Sequence, residues 1–224
     1  MELPQNKTIV CVFAHPDDEA FGPGGTIALL SKKNDVYILC ATKGEAGKNH
    51  HRDKETPLQR LRTNELRASA KILGVKKVQF LNYIDGTLSN SLYHKLAKSI
   101  ASNLKKLKPD MILTFEPRGI SGHLDHIAVS LVTTYVFNQL TFIKELYYYC
   151  LSEKQRNAYT HAYFIYRPPG YKKTEISFTV DTSDVWETKL EAMNQHQSQK
   201  HDIKRLLGFM NDLPKEENFM ILQK

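Results

Sequence analysis

The first half of the chain alternates short apolar runs rich in β-forming residues with longer segments of helical pattern. The apolar runs predict strands at 8–14, 36–41, 78–81 and 111–115. Each is followed by a segment that predicts a helix, at 26–31, 57–73, 91–107 and 127–138. Because strands that are buried on both faces read as continuous apolar runs, this alternation predicts an α/β fold with a mostly parallel sheet and helices on both faces.

The second half of the chain is less regular. Apolar or alternating runs predict strands at 145–151, 162–167 and 175–180. A helix is predicted over 184–199, with Asp184 as its N-cap and Glu187 three residues later. Polar segments predict surface turns at 156–160 and 168–173.

The composition is that of a folded protein with a basic surface. Hydrophobic residues make up 41% of the 224 residues and charged residues 25%, which excludes wholesale disorder. Lys and Arg number 31 against 24 Asp and Glu, a formal charge of +7. The basic residues are scattered in short pairs such as Lys32-Lys33, without interleaved aromatic residues. We therefore expect a solvated basic surface and no nucleic-acid partner.

Cysteine usage and the N-terminal sequence indicate a cytoplasmic protein. The three cysteines form no CxxC pair, which argues against a disulfide framework or a thiolate metal site. The first twenty residues lack the pattern of a signal peptide, and no apolar stretch is long enough to span a membrane. The sequence leaves the oligomeric state open and allows a homo-oligomer.

The segment directly after the first predicted strand carries one imidazole and three carboxylates: His15, Asp17, Asp18 and Glu19. Adjacent acids repel one another and resist burial unless a cation lies among them. The carboxyl end of a strand is also where ligands bind in open α/β sheets. The segment predicts a divalent-metal site, the simpler alternative being an acidic helix N-terminus.

A second polar cluster, His123, Asp125 and His126, follows the fourth predicted strand. Strand ends of one sheet converge on one edge, so the two clusters are expected to meet. Together they supply what a hydrolytic metal site needs: two imidazoles and one carboxylate as ligands, a further carboxylate as base and a further imidazole for the oxyanion. On this reasoning alone Asp17 and Asp18 are interchangeable.

Several motifs together resemble a known family. They are AHPDDE at 14–19, Gly-Glu at 44–45, RTNE at 62–65, GHLDH at 122–126 and HQSQ at 196–199. The sequence resembles the LmbE-like, or PIG-L, family of zinc-dependent N-acetylglucosaminyl deacetylases. The resemblance implies a Rossmann-like three-layer fold with the site at the carboxyl ends of the strands.

The resemblance also implies the metal ligands and the extent of the domain. His15, Asp18 and His126 would bind the ion, expected to be Zn²⁺, with Fe²⁺ or another divalent ion as the alternative. Residues 1–224 would form a single domain. Its Rossmann-like core with the metal site would span 1–140, and 141–224 would shape the substrate pocket.

The other site residues are assigned by the same resemblance. Asp17 would be the general base, and His123 the acid or oxyanion partner, oriented by Asp125. Arg62 and Glu45 would line the sugar pocket.

Simpler interpretations exist for three of these motifs. Arg62 is also placed to form a surface salt bridge with Glu65. His196 is also placed to interact with a helix C-terminus. The polar stretch 43–56 follows the second strand and is either an active-site loop or a solvated loop.

The implied activity is metal-dependent removal of the N-acetyl group from a GlcNAc-type amino sugar or glycoside, a small-molecule substrate. Two alternatives remain from the residues: another metallohydrolase, such as a phosphoesterase acting on an anionic substrate, and a non-catalytic sugar-binding protein of the same fold.

Overall fold

The computed structural model describes residues 2–159 and 166–224, and within them seven strands form one sheet. The strands are Thr8–Phe13 (β1), Asp35–Thr42 (β2), Lys77–Tyr83 (β3), Met111–Phe115 (β4), Glu145–Cys150 (β5), Phe178–Asp181 (β6) and Glu216–Gln223 (β7). Their order is β3-β2-β1-β4-β5-β7-β6. The first five strands pair in parallel, whereas β7 is antiparallel to both β5 and β6. The predicted mostly parallel sheet is confirmed.

Helices connect the strands. In the same described ranges they are Asp18–Phe21 (α1), Gly24–Ser31 (α2), Leu58–Ile72 (α3), Tyr93–Leu107 (α4), Gly119–Gly122 (α5), Leu124–Gln139 (α6), Glu153–Ala158 (α7), Trp186–Met193 (α8) and Lys200–Met210 (α9). Short 3-10 turns span Ser183–Val185 and Gln197–Gln199. None of the helices in the described ranges has the length and apolar character required to cross a bilayer.

Two hydrophobic cores lie on opposite faces of the sheet. Alternate side chains of β1 divide between them because successive residues of a strand point to opposite faces. Ile9, Cys11 and Phe13 pack with apolar residues of α2, α3 and α8. Val10 and Val12 pack with those of α4 and α6. Because β1 is covered on both faces, its buried positions are all apolar. The predicted three-layer arrangement is confirmed.

The strand order creates a crevice at the centre of the sheet. From β1 the chain runs outward through β2 and β3, then returns to β4 on the other side of β1 and continues to β5. The loops that leave β1 and β4 therefore diverge at their carboxyl ends. This point of reversal is where open α/β sheets bind ligands, and both polar clusters of the sequence begin there.

The second half differs from its predicted elements. The strands predicted at 145–151 and 175–180 are present as β5 and β6. The single helix predicted over 184–199 is wrong, because α8 ends at Met193 and a 3-10 turn follows it. Asp184 lies in a 3-10 turn ahead of α8 and does not cap that helix. The sequence pattern did not predict α9 or β7.

Residues around α7 also differ from expectation. The segment 156–160 was expected to be a turn, but 153–158 form α7. A capping box starts this helix: Ser152 accepts from the backbone of Gln155, and the Gln155 side chain accepts from the Ser152 backbone. Of the strand predicted at 162–167, residues 162–165 lie outside the described residues.

Strand β7 fastens the second half of the chain to the first. The buried Glu217 carboxylate accepts the backbone N–H groups of Gly25 (2.9 Å) and Thr26 (2.7 Å) at the start of α2. The same carboxylate pairs with the buried Lys189 ammonium at 2.6 Å. One side chain of β7 thus satisfies free N–H groups of one helix and neutralises a cation of another.

Candidate active site

The turn after β1 is fixed by its own acidic side chains. Asp18 Oδ2 accepts the backbone N–H groups of Ala14 (3.0 Å) and His15 (2.9 Å). The backbone N–H of Asp17 donates to Glu19 Oε2 at 3.1 Å. Asp17 itself has a φ of 108°, a value that non-glycine residues rarely adopt. These bonds hold the turn in a conformation that separates the Asp17 and Asp18 carboxylates.

Three of the predicted ligands come together at the crevice. His126 Nε2 lies 3.1 Å from His15 Nδ1 and 3.2 Å from Asp18 Oδ1. His15 and Asp18 are almost completely buried. Burial by itself raises the pKa of Asp18, but the charge and hydrogen bond of His126 outweigh it and hold that pKa below its usual range. The two sequence clusters therefore meet at one point.

Outer hydrogen bonds indicate which nitrogen of each histidine is free to bind an ion. His15 Nε2 lies 2.9 Å from Asp85 Oδ1 and 3.3 Å from Asp125 Oδ2, so this nitrogen carries a proton. His126 Nδ1 lies 3.2 Å from the Gly119 carbonyl oxygen and is a donor by the same reasoning. When an ion displaces their protons, His15 Nδ1 and His126 Nε2 are the nitrogens that these outer hydrogen bonds leave to bind it, an arrangement typical of metal-binding histidines.

Among the residues that the structure describes, two overlapping groups of side chains are placed to hold a metal ion. The ligand atoms within each group lie within 4.8 Å of one another: His15, His123 and His126 in one, and His15, Asp85 and Asp125 in the other. Imidazoles and carboxylates are the usual protein ligands of Zn²⁺ and several other divalent ions. Burial by itself lowers the pKa of His15, but hydrogen bonds to Asp125 and Asp85 outweigh it and raise that pKa to about 10. The donor set and its negative charge therefore fit a divalent cation.

Asp17 faces a different partner from Asp18. Its Oδ2 accepts from Arg62 Nη2 at 2.8 Å, and Arg62 Nη1 donates to the Gly44 carbonyl at 2.8 Å. Arg62 is buried, and Glu65 accepts instead from Ser198, so the interpretation of Arg62 and Glu65 as a surface salt bridge is wrong. Burial raises the pKa of Asp17 above its usual range, although the Arg62 charge opposes the shift.

The His123 ring lies beside the rings of His15 and His126. Its Nδ1 accepts the backbone N–H of Asp125 at 3.1 Å, so the proton of the neutral ring is on Nε2. Burial, together with the charges of His126 and His15, lowers the pKa of His123. The ring stacks on His126 with centroids 4.8 Å apart. His123 is therefore a neutral imidazole at neutral pH, and its ring lines the cavity.

The Asp125 carboxylate lies against His15 and the loop after β3. It accepts the backbone N–H groups of Gly86 (2.8 Å) and Leu88 (3.0 Å). Asp125 contacts His123 through its backbone N–H. These contacts tie the Asp125 carboxylate to His15, and its orienting role toward His123 stays a prediction.

A buried hydrogen-bond network lies beneath the turn after β1, and the sequence did not predict it. Glu19 Oε1 accepts from Ser69 Oγ at 2.5 Å and lies 2.7 Å from His196 Nε2. Both Glu19 and His196 are fully buried. Burial by itself lowers the pKa of His196, but the Glu19 charge outweighs it and raises that pKa. The interpretation of His196 as an imidazole at a helix end is therefore wrong, because its partner is Glu19.

Sequence reasoning missed Asp85. This residue follows β3 and contacts His15 through Oδ1, while its Oδ2 accepts the Ala46 backbone N–H at 3.1 Å. The sequence position of Asp85 could have indicated this contact, because an acid at the carboxyl end of a third parallel strand lies on the same sheet edge as the two clusters.

The loop 43–56 contributes to the cavity but places Glu45 apart from it. The carboxylate of Glu45 accepts the Lys43 backbone N–H at 3.3 Å. The cavity wall next to it is formed by Ala46, Gly47 and Lys48. The pocket role of Glu45 stays a prediction.

The clustered side chains open into one cavity of about 720 Å³. Its inner end carries His15, Asp17, Asp18, Arg62, His123 and His126. Residues of α8 and α9 also line the cavity, together with Tyr159. A cavity of this size is typical of a small-molecule site.

Comparison with known proteins identifies one family. Residues 10–137 match the family described as PIG-L, GlcNAc-PI de-N-acetylase. The probable N-acetyl-alpha-D-glucosaminyl L-malate deacetylase 2 of Bacillus cereus is 28% identical over 199 residues, with 86% of this chain and 84% of that protein covered. The diacetylchitobiose deacetylase of Thermococcus kodakarensis is 32% identical over 203 residues, with 86% and 70% covered.

A solved structure shares the fold. The N,N'-diacetylchitobiose deacetylase from Pyrococcus horikoshii, complexed with an inhibitor, superposes with a TM-score of 0.70 at 23% identity. The match covers 97% of this chain and 84% of that chain. The shared architecture therefore extends well beyond residues 10–137.

Proposed function

Since this chain belongs to the PIG-L family of GlcNAc-PI de-N-acetylases, we propose that it is a metal-dependent hydrolase that removes the acetyl group from a GlcNAc-type amino sugar. The observation that carries the proposal is the meeting of His15, Asp18 and His126 at one point, with Asp17 beside them in a separate environment.

The three meeting side chains would hold the ion. For the two histidines, His15 Nδ1 and His126 Nε2 are the nitrogens that do not take part in the outer hydrogen bonds. For Asp18, Oδ1 is the oxygen that lies next to His126 Nε2. Two imidazoles and one carboxylate suit Zn²⁺, which we propose, and also Fe²⁺. When bound, the ion supplies a Lewis acid that polarises the acetamide carbonyl and lowers the pKa of water.

Asp17 would act as the general base. Its carboxylate is buried next to the ligands and has a raised pKa, so it accepts a proton more readily than an exposed aspartate. The bond from Arg62 fixes its orientation toward the cavity. Asp17 would take one proton from the attacking water and pass it to the amine as the C–N bond breaks.

His123 would stabilise the oxyanion. Because its Nδ1 accepts a backbone N–H, the neutral ring carries its proton on Nε2, and this N–H would donate to the developing oxyanion. The lowered pKa favours this neutral donor over an imidazolium acid. The sequence left two roles open for His123, acid or oxyanion partner, and we propose the second.

A substrate screen with and without chelator tests the proposed function. Candidate substrates are GlcNAc, diacetylchitobiose and GlcNAc glycosides of malate and inositol, the last three taken from the names of the relatives. We expect equal amounts of free amine and acetate from at least one of them, abolished by chelator and restored by Zn²⁺.

The same screen separates the alternatives. Phosphate release from a phosphoester, without acetate from any amino sugar, would replace the deacetylase with a phosphoesterase. Saturable sugar binding with neither product would indicate a non-catalytic sugar-binding protein. The cytoplasmic location stays a prediction, and the oligomeric state stays open.

A further inference from the structure

His196 is a fully buried histidine whose two ring nitrogens differ. It directly precedes the 3-10 turn Gln197–Gln199. Its Nε2 lies 2.7 Å from Glu19 Oε1, whereas its Nδ1 is buried with no hydrogen-bond partner among the described residues. A buried polar atom without a partner costs free energy. Because an apolar side chain at this position would avoid that cost, the contact with Glu19 points to a role beyond packing.

The Glu19 carboxylate connects His196 to the backbone of Asp17. Glu19 is also fully buried. Its Oε1 accepts from Ser69 Oγ at 2.5 Å and faces His196 Nε2, and its Oε2 accepts the backbone N–H of Asp17 at 3.1 Å. The imidazole and the hydroxyl thus fix one oxygen of the carboxylate, which orients the other oxygen toward the turn above it.

The backbone of Asp17 needs such support because its conformation is unfavourable. Its φ of 108° lies in the left-handed region, which non-glycine residues adopt only where the surrounding structure holds them. The same residue carries the proposed general base, and its Oδ2 accepts from Arg62 Nη2 at 2.8 Å. A turn that relaxed toward an ordinary φ would change the direction of the Cα–Cβ bond and move the carboxylate with it.

The metal ligand in the same turn is held by other contacts. Asp18 Oδ2 accepts two backbone N–H groups of the turn, at 3.0 and 2.9 Å. Neither bond passes through the Glu19 carboxylate. Loss of the His196 imidazole is therefore expected to displace Asp17 but not Asp18.

The 3-10 turn that follows His196 is itself fixed to helix α3. The backbone N–H and the Oγ of Ser198 both donate to the buried Glu65 carboxylate, at 2.7 and 2.6 Å. Glu65 lies one helical turn after Arg62, the residue that binds the Asp17 side chain. One short segment thus supports Asp17 by two routes: its backbone through the carboxylate beneath it, and its side chain through α3.

We propose that His196 is a positioning residue for the general base: through Glu19 it holds the Asp17 backbone in the conformation that directs the carboxylate into the cavity. The inference rests on the proposed function for the role of Asp17 as base. It assigns a role to an imidazole that acts from beneath the site, since His196 does not line the cavity.

Two substitutions of His196 test the proposal. His196→Leu removes the donor and keeps a side chain of similar size, whereas His196→Gln keeps an N–H group that reaches Glu19. Exchange of the Asp17 backbone N–H is followed by NMR in the Zn²⁺-loaded protein. We expect about tenfold faster exchange in His196→Leu, because the bond to Glu19 is weakened, and near-wild-type exchange in His196→Gln. The exposed His94→Leu on α4 is the matched control.

Kinetic constants give a second measurement, made with the amino sugar that releases the most amine in the substrate screen. His196→Leu is expected to lower kcat about 100-fold, as a small displacement of a catalytic group does, with KM within about twofold of wild type. His196→Gln is expected to recover most of kcat. KM also reports on Phe21, which lines the cavity and contacts the His196 ring edge-on with centroids 5.7 Å apart.

The zinc-to-protein ratio separates a positioning role from a merely structural one. We expect it to be unchanged in His196→Leu, since Asp18 has its own bonds to the turn. An unchanged kcat, whatever the KM, or a loss of zinc together with the rate would overturn the inference. Glu19→Gln, a weaker acceptor for the Asp17 N–H, is the second variant and decides if His196→Leu does not fold. Faster Asp17 exchange and a lower kcat are expected of it as well.

The exchange measurement keeps this inference separate from the proposed function. If no amino sugar releases amine but His196→Leu speeds exchange of the Asp17 N–H, the deacetylase proposal fails and the positioning contact stands. If the wild type deacetylates and a folded His196→Leu matches it in Asp17 exchange and in kcat, the inference is refuted and the proposed function stands.

Discussion

Asp17 and Asp18 are adjacent in sequence but belong to different environments. Asp18 is bound to the backbone of its own turn and faces His126. Asp17 faces Arg62 across the turn. The backbone conformation at Asp17 turns the two carboxylates apart, which makes one suited to bind an ion and the other to move a proton.

Replacement of Asp17 by Asn tests this division of roles. We expect kcat to fall by about 10² to 10⁴, the usual contribution of a general base, while bound metal is retained. Single-turnover amine release and elemental analysis measure the two quantities. The exposed Asp184→Asn is the matched control. Near-normal turnover of Asp17→Asn would refute the base assignment, and loss of metal would make Asp17 a ligand.

Removal of the His126 imidazole is expected to abolish metal binding, since His126 Nε2 contacts both other proposed ligands. Metal content after dialysis is compared between wild type, His126→Ala and the exposed control His94→Ala. An undiminished metal-to-protein ratio in His126→Ala would remove it from the ligand set.

At the residue scale, the sequence predicted that the clusters after β1 and β4 meet, and it missed contacts of residues outside those two clusters. His15 and Asp18 share one short motif, so their proximity was readable. Glu19 and His196 are 177 positions apart, and no local sequence pattern links them. Asp85 stands in no motif and gains its place at His15 only because β3 is parallel to β2.

Among the elements, the strands that are buried on both faces were predicted to within one or two residues. β7 was missed because it is held by pairing with β5 and β6, which a local pattern does not reveal. The predicted helix 184–199 is interrupted because His196 and Ser198 reach Glu19 and Glu65. Tertiary contacts at these residues override the local helical preference.

The contact between β7 and α2 yields a stability prediction. Glu217→Ala removes the acceptor for two N–H groups of α2 and leaves the Lys189 cation buried without its partner. We expect a loss of about 3–5 kcal/mol in the free energy of unfolding, measured by urea denaturation. The neighbouring Glu216→Ala is the control, because Glu216 is exposed; a change within about 0.5 kcal/mol is expected there.

A double variant checks the electrostatic cause. Adding Lys189→Met to Glu217→Ala removes the unpaired cation, so part of the lost stability should return. No recovery would show that the loss comes from the α2 contacts rather than from the buried charge.

For the whole molecule, the two halves of the chain share one core. Phe178 of β6 and Phe219 of β7 belong to the same hydrophobic cluster as Ile9 and Phe13 of β1. The cluster would lose one side without residues 141–224. This sharing supports the proposal of a single domain over 1–224.

Unfolding of the full chain is therefore expected to be one cooperative transition. Far-UV circular dichroism reports mainly on the helices of both halves, whereas the single tryptophan, Trp186, reports on the second half alone. The two signals should give the same urea midpoint. Two separate midpoints would contradict a single domain.

The contact of His196 with Glu19 sets a rule for recombining this protein with its relatives. A chimera that exchanges 141–224 also exchanges the imidazole beneath the turn after β1. Transplants limited to α7 and α9 leave that imidazole in place. Segment 196–199 therefore has to be exchanged together with the turn after β1, to which His196 is bound through Glu19.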